Sequence, residues 1–448
     1  MIRVFSIIIL SLIGFFLKFQ LNYDLGSVFG VIIFFYWFIK LIKNLNEHLP
    51  LIELLIFMYA LQYLFGPALT YNGFEEYTNY KMLIAPDTYF KYTISVFFSM
   101  IIGIRLFFDP KTFKINMPKI NVWLSYNLLI PYYLIFIGIL APLTKDFFPS
   151  SLSFIEYLLE SFKMIGLFML IVSKQKIKPI LIILIYGLIF LSAFYGGMFH
   201  DLLTWLVALG MILSYRYKPK LEIKIIGIIV FVLFAIFIQS IKGGLREQIW
   251  YGGAETNTQI LTDVVIENKE ETGGLLSLSN IGPQITRINQ GWILGNVIEN
   301  VPNNVPHSYG SNIKKYLFSA VMPRILAPDK MNAGEKELFI LYTGHFIDVG
   351  TSMGLGLFAD AYIEFGSYGA LVYVFLFGAF YGFVLNKFLK YSIEYPVLIL
   401  FSILAFIYPM RPDCETQTVL GHLLKTIMLL TIIFYFNKRS FSLSRFNK

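Results

Sequence analysis

Apolar runs of about twenty residues, the length a helix needs to cross a bilayer core, recur along the whole chain with short gaps between them. They fall near 3–20, 25–41, 50–70, 92–108, 123–142, 153–173, 179–196, 199–215, 223–241, 367–386, 396–410 and 419–436. Of the 448 residues, 57% are hydrophobic and only 14% charged, and the mean hydropathy is +0.67. A soluble domain carries roughly 25% charged residues, and one core of this length cannot hide so much apolar surface. The bilayer must therefore be the main solvent. An ordinary soluble enzyme, a disordered chain and a secreted disulfide scaffold are excluded. The single cysteine, Cys414, allows no intramolecular disulfide and no multi-cysteine metal site. The first run, over 4–17, follows Met-Ile-Arg and meets no small-residue cleavage site, so it reads as a first span and not as a removed signal.

The net charge of +8 invites a nucleic-acid reading, which fails once the charges are placed, because they sit in the gaps between runs. With the N-terminus inside, the inner gaps and tails hold about nineteen Lys and Arg against about five in the short outer ones, the asymmetry that orients membrane helices. An even number of spans with both termini cytoplasmic follows. The expected fold is an all-α polytopic membrane protein of about twelve helices.

One connection departs from this pattern. Residues 242–366 join the ninth and tenth runs and fall outside on the same count, dividing the chain into a membrane bundle of about nine helices (1–241), a large periplasmic loop (242–366) and C-terminal helices of the same membrane domain (367–448). Loops this long are usually functional. Over 242–353 the loop holds nine Lys or Arg, eleven Asp or Glu, and both His307 and His345. Leu261, Val264 and Val265 fall at helical spacing, and Ile313, Tyr316, Leu317, Ala320 and Val321 form a longer stripe flanked by Lys314 and Lys315 and ended by Pro323. Short amphipathic helices are expected there, the second lying in the membrane interface.

The most distinctive stretch follows: Met322-Pro323-Arg324-Ile325-Leu326-Ala327-Pro328-Asp329-Lys330, then Asp348, then Thr351-Ser352-Met353-Gly354-Leu355-Gly356, then Asp360-Ala361-Tyr362-Ile363-Glu364-Phe365-Gly366-Ser367-Tyr368-Gly369. Many spans, a large late outer loop and these motifs together resemble the Wzy-type oligosaccharide repeat-unit polymerases of O-antigen and capsular polysaccharide synthesis. The sharpest likeness covers about 320–370.

The resemblance implies a glycosyltransferase of the bacterial inner membrane. It would move a growing glycan from undecaprenyl pyrophosphate to a new lipid-linked repeat unit on the periplasmic face. The bilayer, the lipid-linked oligosaccharide, a chain-length regulator and a flippase are the implied partners. No nucleotide sugar, metal or other cofactor is expected, since a lipid pyrophosphate is already a good leaving group. Such a site needs cations where charge builds on the departing pyrophosphate, and arginine grips two phosphate oxygens at once. Arg324 is the leading candidate, with Lys242, Arg246, Arg287 and Arg411 as further pyrophosphate ligands. The acceptor hydroxyl needs a base within reach; His307, His345, Asp348, Asp360 and Glu364 qualify by residue type. Ionisable groups inside the runs, Glu156, Glu160 and Lys163, His200 and Asp201, and His422 and Lys425, are expected to pair or to line a wet cleft.

Two other readings stand beside this one among transferases and transporters. An O-antigen ligase would use the same donor and a lipid A-core acceptor. A flippase for the same lipid would show internal repeats and short loops on both sides, which this sequence does not. A non-catalytic assembly protein would tolerate loss of Arg324.

Overall fold

A computed structural model describes residues 2–73, 80–147, 149, 152–173, 179–248, 264–266, 282, 285–322, 324, 326–347 and 352–443. Every regular element among the described residues is helical. In chain order they are α1 (Ile2–Phe19), α2 (Leu25–Asn44), α3 (Leu51–Tyr71), α4 (Pro86–Phe107), α5 (Met117–Tyr126), α6 (Ile130–Leu140), α7 (Ser153–Val172), α8 (Pro179–Gly196), α9 (His200–Tyr217), α10 (Leu221–Arg246), α11 (Gly291–Asn300), α12 (Ser311–Val321), α13 (Lys336–Thr343), α14 (Leu357–Tyr391), α15 (Leu398–Phe406) and α16 (Thr416–Phe436).

All twelve apolar runs fall on helices. Among the described residues seven of these, α2, α3, α4, α8, α10, α14 and α16, are long and apolar enough to cross a membrane. An eighth would be α5 with α6, bent by 85° between them. The sequence reading took 123–142 as one straight run. The break has a local cause: Pro131 in the first turn of α6 cannot continue a preceding helix, and Asn127 turns back to donate to the Trp123 carbonyl at 3.0 Å. α7 is long enough to span but carries Glu156, Glu160 and Lys163.

The longest helix, α14, is the spine. It starts at Leu357, ten residues before the tenth apolar run, so Asp360 and Glu364 are helical. Along α4 it packs backbone against backbone. Gly378 and Gly382 lie one turn apart, and a Cβ on them would strike the Met100 and Ile104 carbonyls; a Cβ on Gly103 would strike the Phe375 carbonyl. This small-xxx-small spacing lets membrane helices approach closely, where packing replaces the hydrophobic drive of water. α6 and α7 cross the same way through Gly138 and Gly166. The pair of half-buried Glu160 and buried Lys163, at 2.6 Å, sits at that crossing.

Within α3 a π-helical turn over Leu61–Phe65 redirects the backbone. Its Gln62 carbonyl accepts from the Gln290 amide at 3.0 Å, and its Tyr63 carbonyl from the Tyr89 hydroxyl at 2.8 Å. The Tyr63 hydroxyl donates to the Pro412 carbonyl at 3.1 Å, joining α3 to the α15–α16 connection. Tyr59 and Tyr63 pack on Phe358 of α14 at 5.1 and 4.6 Å. By contrast α10 is almost bare along its apolar length, tied by Lys224 to the Ile42 carbonyl at one end and by Arg246 to the Gly197 carbonyl at the other.

Gly378→Val should overpack the α4–α14 crossing by about 1–3 kcal/mol. The purified variant in detergent should melt several degrees lower by fluorescence; an unchanged melting temperature would show that the crossing is not close-packed.

Candidate functional site

The site begins where α14 breaks. Gly366 takes φ 63° and ψ −167°, a conformation side chains avoid, and interrupts the helix there. Carbonyls just before such a break lose their helical donors. Here Tyr362 O accepts from His307 Nδ1, Ile363 O from the Ser308 amide and Glu364 O from the Tyr309 amide, each at 3.0 Å. Residues 307–310 are thereby laced to the broken helix, and they turn through left-handed Tyr309 (φ 46°) and Gly310 (φ 88°) into α12. Because a carbonyl only accepts, His307 Nδ1 is the donor in that contact.

Asp360 and Glu364, one turn before the break, are both fully buried. Asp360 Oδ2 accepts from the Thr416 amide at 2.7 Å and Oδ1 from the Tyr316 hydroxyl at 3.4 Å. Glu364 Oε2 accepts from the Gly310 amide at 2.8 Å. Each carboxylate therefore meets the amino end of another helix, α16 or α12, where unpaired amides and the helix dipole favour negative charge.

α12 confirms the helix expected at the stripe, with a rotated buried face. Asn312, Tyr316, Ser319 and Ala320 are buried, while Leu317 and Val321 are exposed. Tyr316 and Ala320 face inward because α12 lies along α16, where Ala320 meets Gly421, and Asn312 is drawn in by the Tyr342 hydroxyl at 2.9 Å.

Beyond α12 the chain bears a group of cations. Arg324 closes its own loop, donating to the Pro328 carbonyl at 3.3 Å and to Asn332 Oδ1 at 2.9 Å. Lys330 donates to the Ser319 and Met322 carbonyls, capping the last turn of α12. Lys425 of α16 lies over the Phe154 ring at 4.6 Å and feels the charges of both Lys330 and Arg324. Burial and the neighbouring Arg324 charge lower the Lys330 ammonium below its ordinary value. The ion pairs among the described residues are His48 with Glu53, Arg105 with Asp109, Glu160 with Lys163, and Arg411 with Asp413. Arg324, Lys330 and Lys425 thus share a neighbourhood with no carboxylate partner among those residues.

A second basic group unites four other candidates. The charges of Lys242, Arg246 and Arg287 act on one another, and Lys242 and Arg411 both act on His200. Arg411 contacts Asp413 through Nη2 at 2.8 Å and stacks over Tyr408 at 5.2 Å. Burial opposes the Asp413 charge, but the Arg411 guanidinium holds that carboxyl below its usual range. His200 and Asp201 are exposed at the start of α9. His422, stacked on Tyr408 at 4.4 Å, feels both Arg411 and Lys425 and so stands between the two basic groups.

His345 lies elsewhere, edge-on to Trp292 at 5.4 Å, and shares no hydrogen bond or ring contact with the other candidates among the described residues. Asp348, like Pro323, Thr351 and Leu261, lies outside the described residues. Sequence reading did not single out Glu335, Glu415 or Gln417, which line a small pocket with Tyr316, Asn332 and Asp360. The available signal was the charge density of Arg411-Pro412-Asp413-Cys414-Glu415, of which only the arginine was marked. Among the described residues no three His, Cys, Asp or Glu side chains converge as a metal site requires.

Gly366→Ala should cost about 1–3 kcal/mol in backbone strain and push on the His307 ring, 3.3 Å from the new Cβ. Amide exchange at Ser308 and Tyr309 should quicken in the variant; unchanged protection there would show that the break does not hold this segment.

No curated protein and no solved structure matches the chain. A family model described as Domain of unknown function (DUF8712) matches residues 19–406, most of the sequence, and the chain belongs to that family.

Proposed function

We propose that the chain is a polysaccharide polymerase of the bacterial inner membrane. It transfers a growing glycan from undecaprenyl pyrophosphate to a new lipid-linked oligosaccharide repeat unit on the periplasmic face. In this reading about twelve helices cross the bilayer, both termini are cytoplasmic, and 242–366 lies in the periplasm between bundle 1–241 and helices 367–448. The observation that carries the proposal is the carboxylate-free group Arg324, Lys330 and Lys425.

Cations without carboxylate partners at a membrane helix end are costly unless an anion completes them. A lipid pyrophosphate fits that requirement by charge, with Arg324 and Lys330 beside the end of α12 and Lys425 about 14 Å into α16 at 1.5 Å per residue. As the bond between the anomeric carbon and the pyrophosphate oxygen breaks, negative charge grows on the leaving oxygen. Cations already fixed in place stabilise that charge without reorganising. Arg324 can offer two N–H groups in one plane, while the two lysines act as point charges.

Polymerisation joins two lipid-linked substrates, so two pyrophosphates are present at once. The second basic group, Lys242, Arg246, Arg287 and Arg411, supplies a place for the other headgroup. His307 is offered as a base for the acceptor hydroxyl, held by the Tyr362 carbonyl, and Glu364 anchors the segment that carries it.

Purified protein in nanodiscs, given undecaprenyl-pyrophosphate-linked repeat units and excess chelator, should yield a ladder of regularly spaced products. Arg324→Ala should abolish the ladder without lowering the amount of protein in the membrane. Arg324→Lys should lose most of it, and full activity in that variant would sink the two-point grip. Transfer only after lipid A-core is added would move the protein to the ligases. Lipid movement across proteoliposomes without any transfer would make it a transporter.

A reporter fused within 255–300 should be active in the periplasm. Activity in the cytoplasm would overturn the topology and the mechanism together.

A further inference from the structure

We infer that α12 and the segment returning from it, 326–335, form a hairpin that dips into the membrane beside α16, with Val321 and Leu326 against lipid acyl chains. Such a seat is independent of the polymerase reading and of which side of the membrane this end faces.

Contacts along α16, a helix long and apolar enough to cross a membrane, fix the course of the hairpin. At the top, the Tyr316 hydroxyl of α12 and the Thr416 amide that opens α16 meet the same Asp360 carboxylate. Further along, the Ala320 backbone lies 3.7 Å from where a Cβ on Gly421 would stand, and Gly421 is about 8 Å into α16 at 1.5 Å per residue. α12 therefore runs in the same direction as α16, from its start toward the bilayer. Past the end of α12, Arg324 and Lys330 lie close enough to Lys425 for their charges to act on it. The chain then climbs back. The Met331 carbonyl accepts from Gln417 Nε2 at 2.8 Å, and the Gly334 amide donates to Glu415 Oε1 at 2.6 Å. Met331 is thus level with the first turn of α16 and Gly334 with its outermost end, which leaves the lowest part of the hairpin between Val321 and Lys330.

The exposed face of α12 changes character on the way down. Ser311, Lys314 and Lys315 come first, then Leu317, Phe318 and Val321, and Leu326 of the returning segment adds to them. Val321 is 62% exposed and Leu326 73%. Cations at the water end with bare apolar side chains beyond them are the pattern of a segment that enters a bilayer interface. The same face in water would leave a contiguous apolar patch uncovered.

Lys425 marks the level of the headgroups. Its Nζ stands 3.9 Å from the Cβ position of Gly421, one turn nearer the start of α16. The stem therefore runs back along its own helix, as a lysine does when it carries its charge out of the hydrocarbon. Headgroups level with Gly421 are also level with Ala320, so Leu317 and Phe318 sit among them and Val321 and Leu326 lie beyond. The charges at the tip limit the depth. Arg324 and Lys330 are turned onto carbonyls and the Asn332 amide oxygen, and Asp329 is exposed beside them. Ionisable groups are costly in hydrocarbon, so the tip stays at the boundary of headgroups and acyl chains and does not cross the leaflet.

Val321→Cys and Leu326→Cys, each in a Cys414→Ala background, can be labelled with bimane and placed in nanodiscs. A lipid with a nitroxide near the top of its acyl chain should quench each label by about half, as expected for side chains seated at that boundary, and should outweigh aqueous iodide. Asn303→Cys, on the exposed turn after α11, should show the reverse. Iodide outweighing the lipid quencher at either hairpin position would overturn the inference. Protection from both quenchers would mean that protein, such as a second copy of the chain, covers the face, and would overturn it too. A second measurement uses the parent, with no substitution. A lipid carrying a diazirine on its acyl chain should, on illumination, label the peptide that contains Val321 and Leu326 as well as the nearly bare α10. Label on α10 with none on that peptide would place the hairpin in water.

Discussion

The organisation of this end of the bundle depends on two carboxylates one turn apart on α14, Asp360 and Glu364, which meet the amino ends of α16 and α12. A cap of this kind contributes about 1 kcal/mol to a helix; here it also fixes where the helix starts in space. α14 in turn is held by backbone contact with α4 at Gly103, Gly378 and Gly382. The order of dependence therefore runs from glycine crossing to spine, from spine to caps, and from caps to the residues the capped helices carry. Lys330 reaches the end of α12, Lys425 lies inside α16 and Glu415 stands at its first turn. None of these could hold its place if α14 slid along α4 by a turn.

Charge is treated differently in two parts of the molecule. Glu160 and Lys163, one turn apart on α7, pair at 2.6 Å beside the crossing with α6, so each ion neutralises the other and the pair serves packing. Lys330 is held by carbonyls, Lys425 by an aromatic ring and Arg324 by a carbonyl and an amide oxygen. Those partners satisfy N–H groups and leave positive charge uncompensated. Of the three, only Lys425 lies inside a helix long enough to span, where a lysine gains by finding a carboxylate.

The apolar runs were legible because bilayer thickness and helix rise are fixed lengths, and all twelve fall on helices. What the sequence could not show depends on partners. The i, i+4 spacing of Asp360 and Glu364 was visible, but their capping role requires knowing that Thr416 and Gly310 arrive beside them. Leu317 and Val321 belong to the apolar stripe of α12 yet are exposed, since packing against α16 selects Tyr316, Ser319 and Ala320 instead. The bend between α5 and α6 was written locally, in Asn127 and Pro131, and was hidden by the hydrophobicity around it. The small pocket was out of reach, because Tyr316, Asn332, Asp360 and Glu415 come from four separate segments.

Under the proposed polymerase reading, transfer between two lipid-linked sugars poses opposite electrostatic demands a few ångströms apart. The departing pyrophosphate needs positive charge, while the attacking hydroxyl needs an acceptor that stays basic. Mixed at random, the two sets would neutralise each other as ion pairs. Arg324 and Asn332 keep them apart: the guanidinium donates to a neutral amide oxygen, so the cation approaches the pocket without meeting Glu415 or Asp360 in an ion pair. Glu415 is held instead by an amide and a hydroxyl, both neutral donors. The neutral Asn332 amide thus stands between the Arg324 guanidinium and the acidic lining of the pocket.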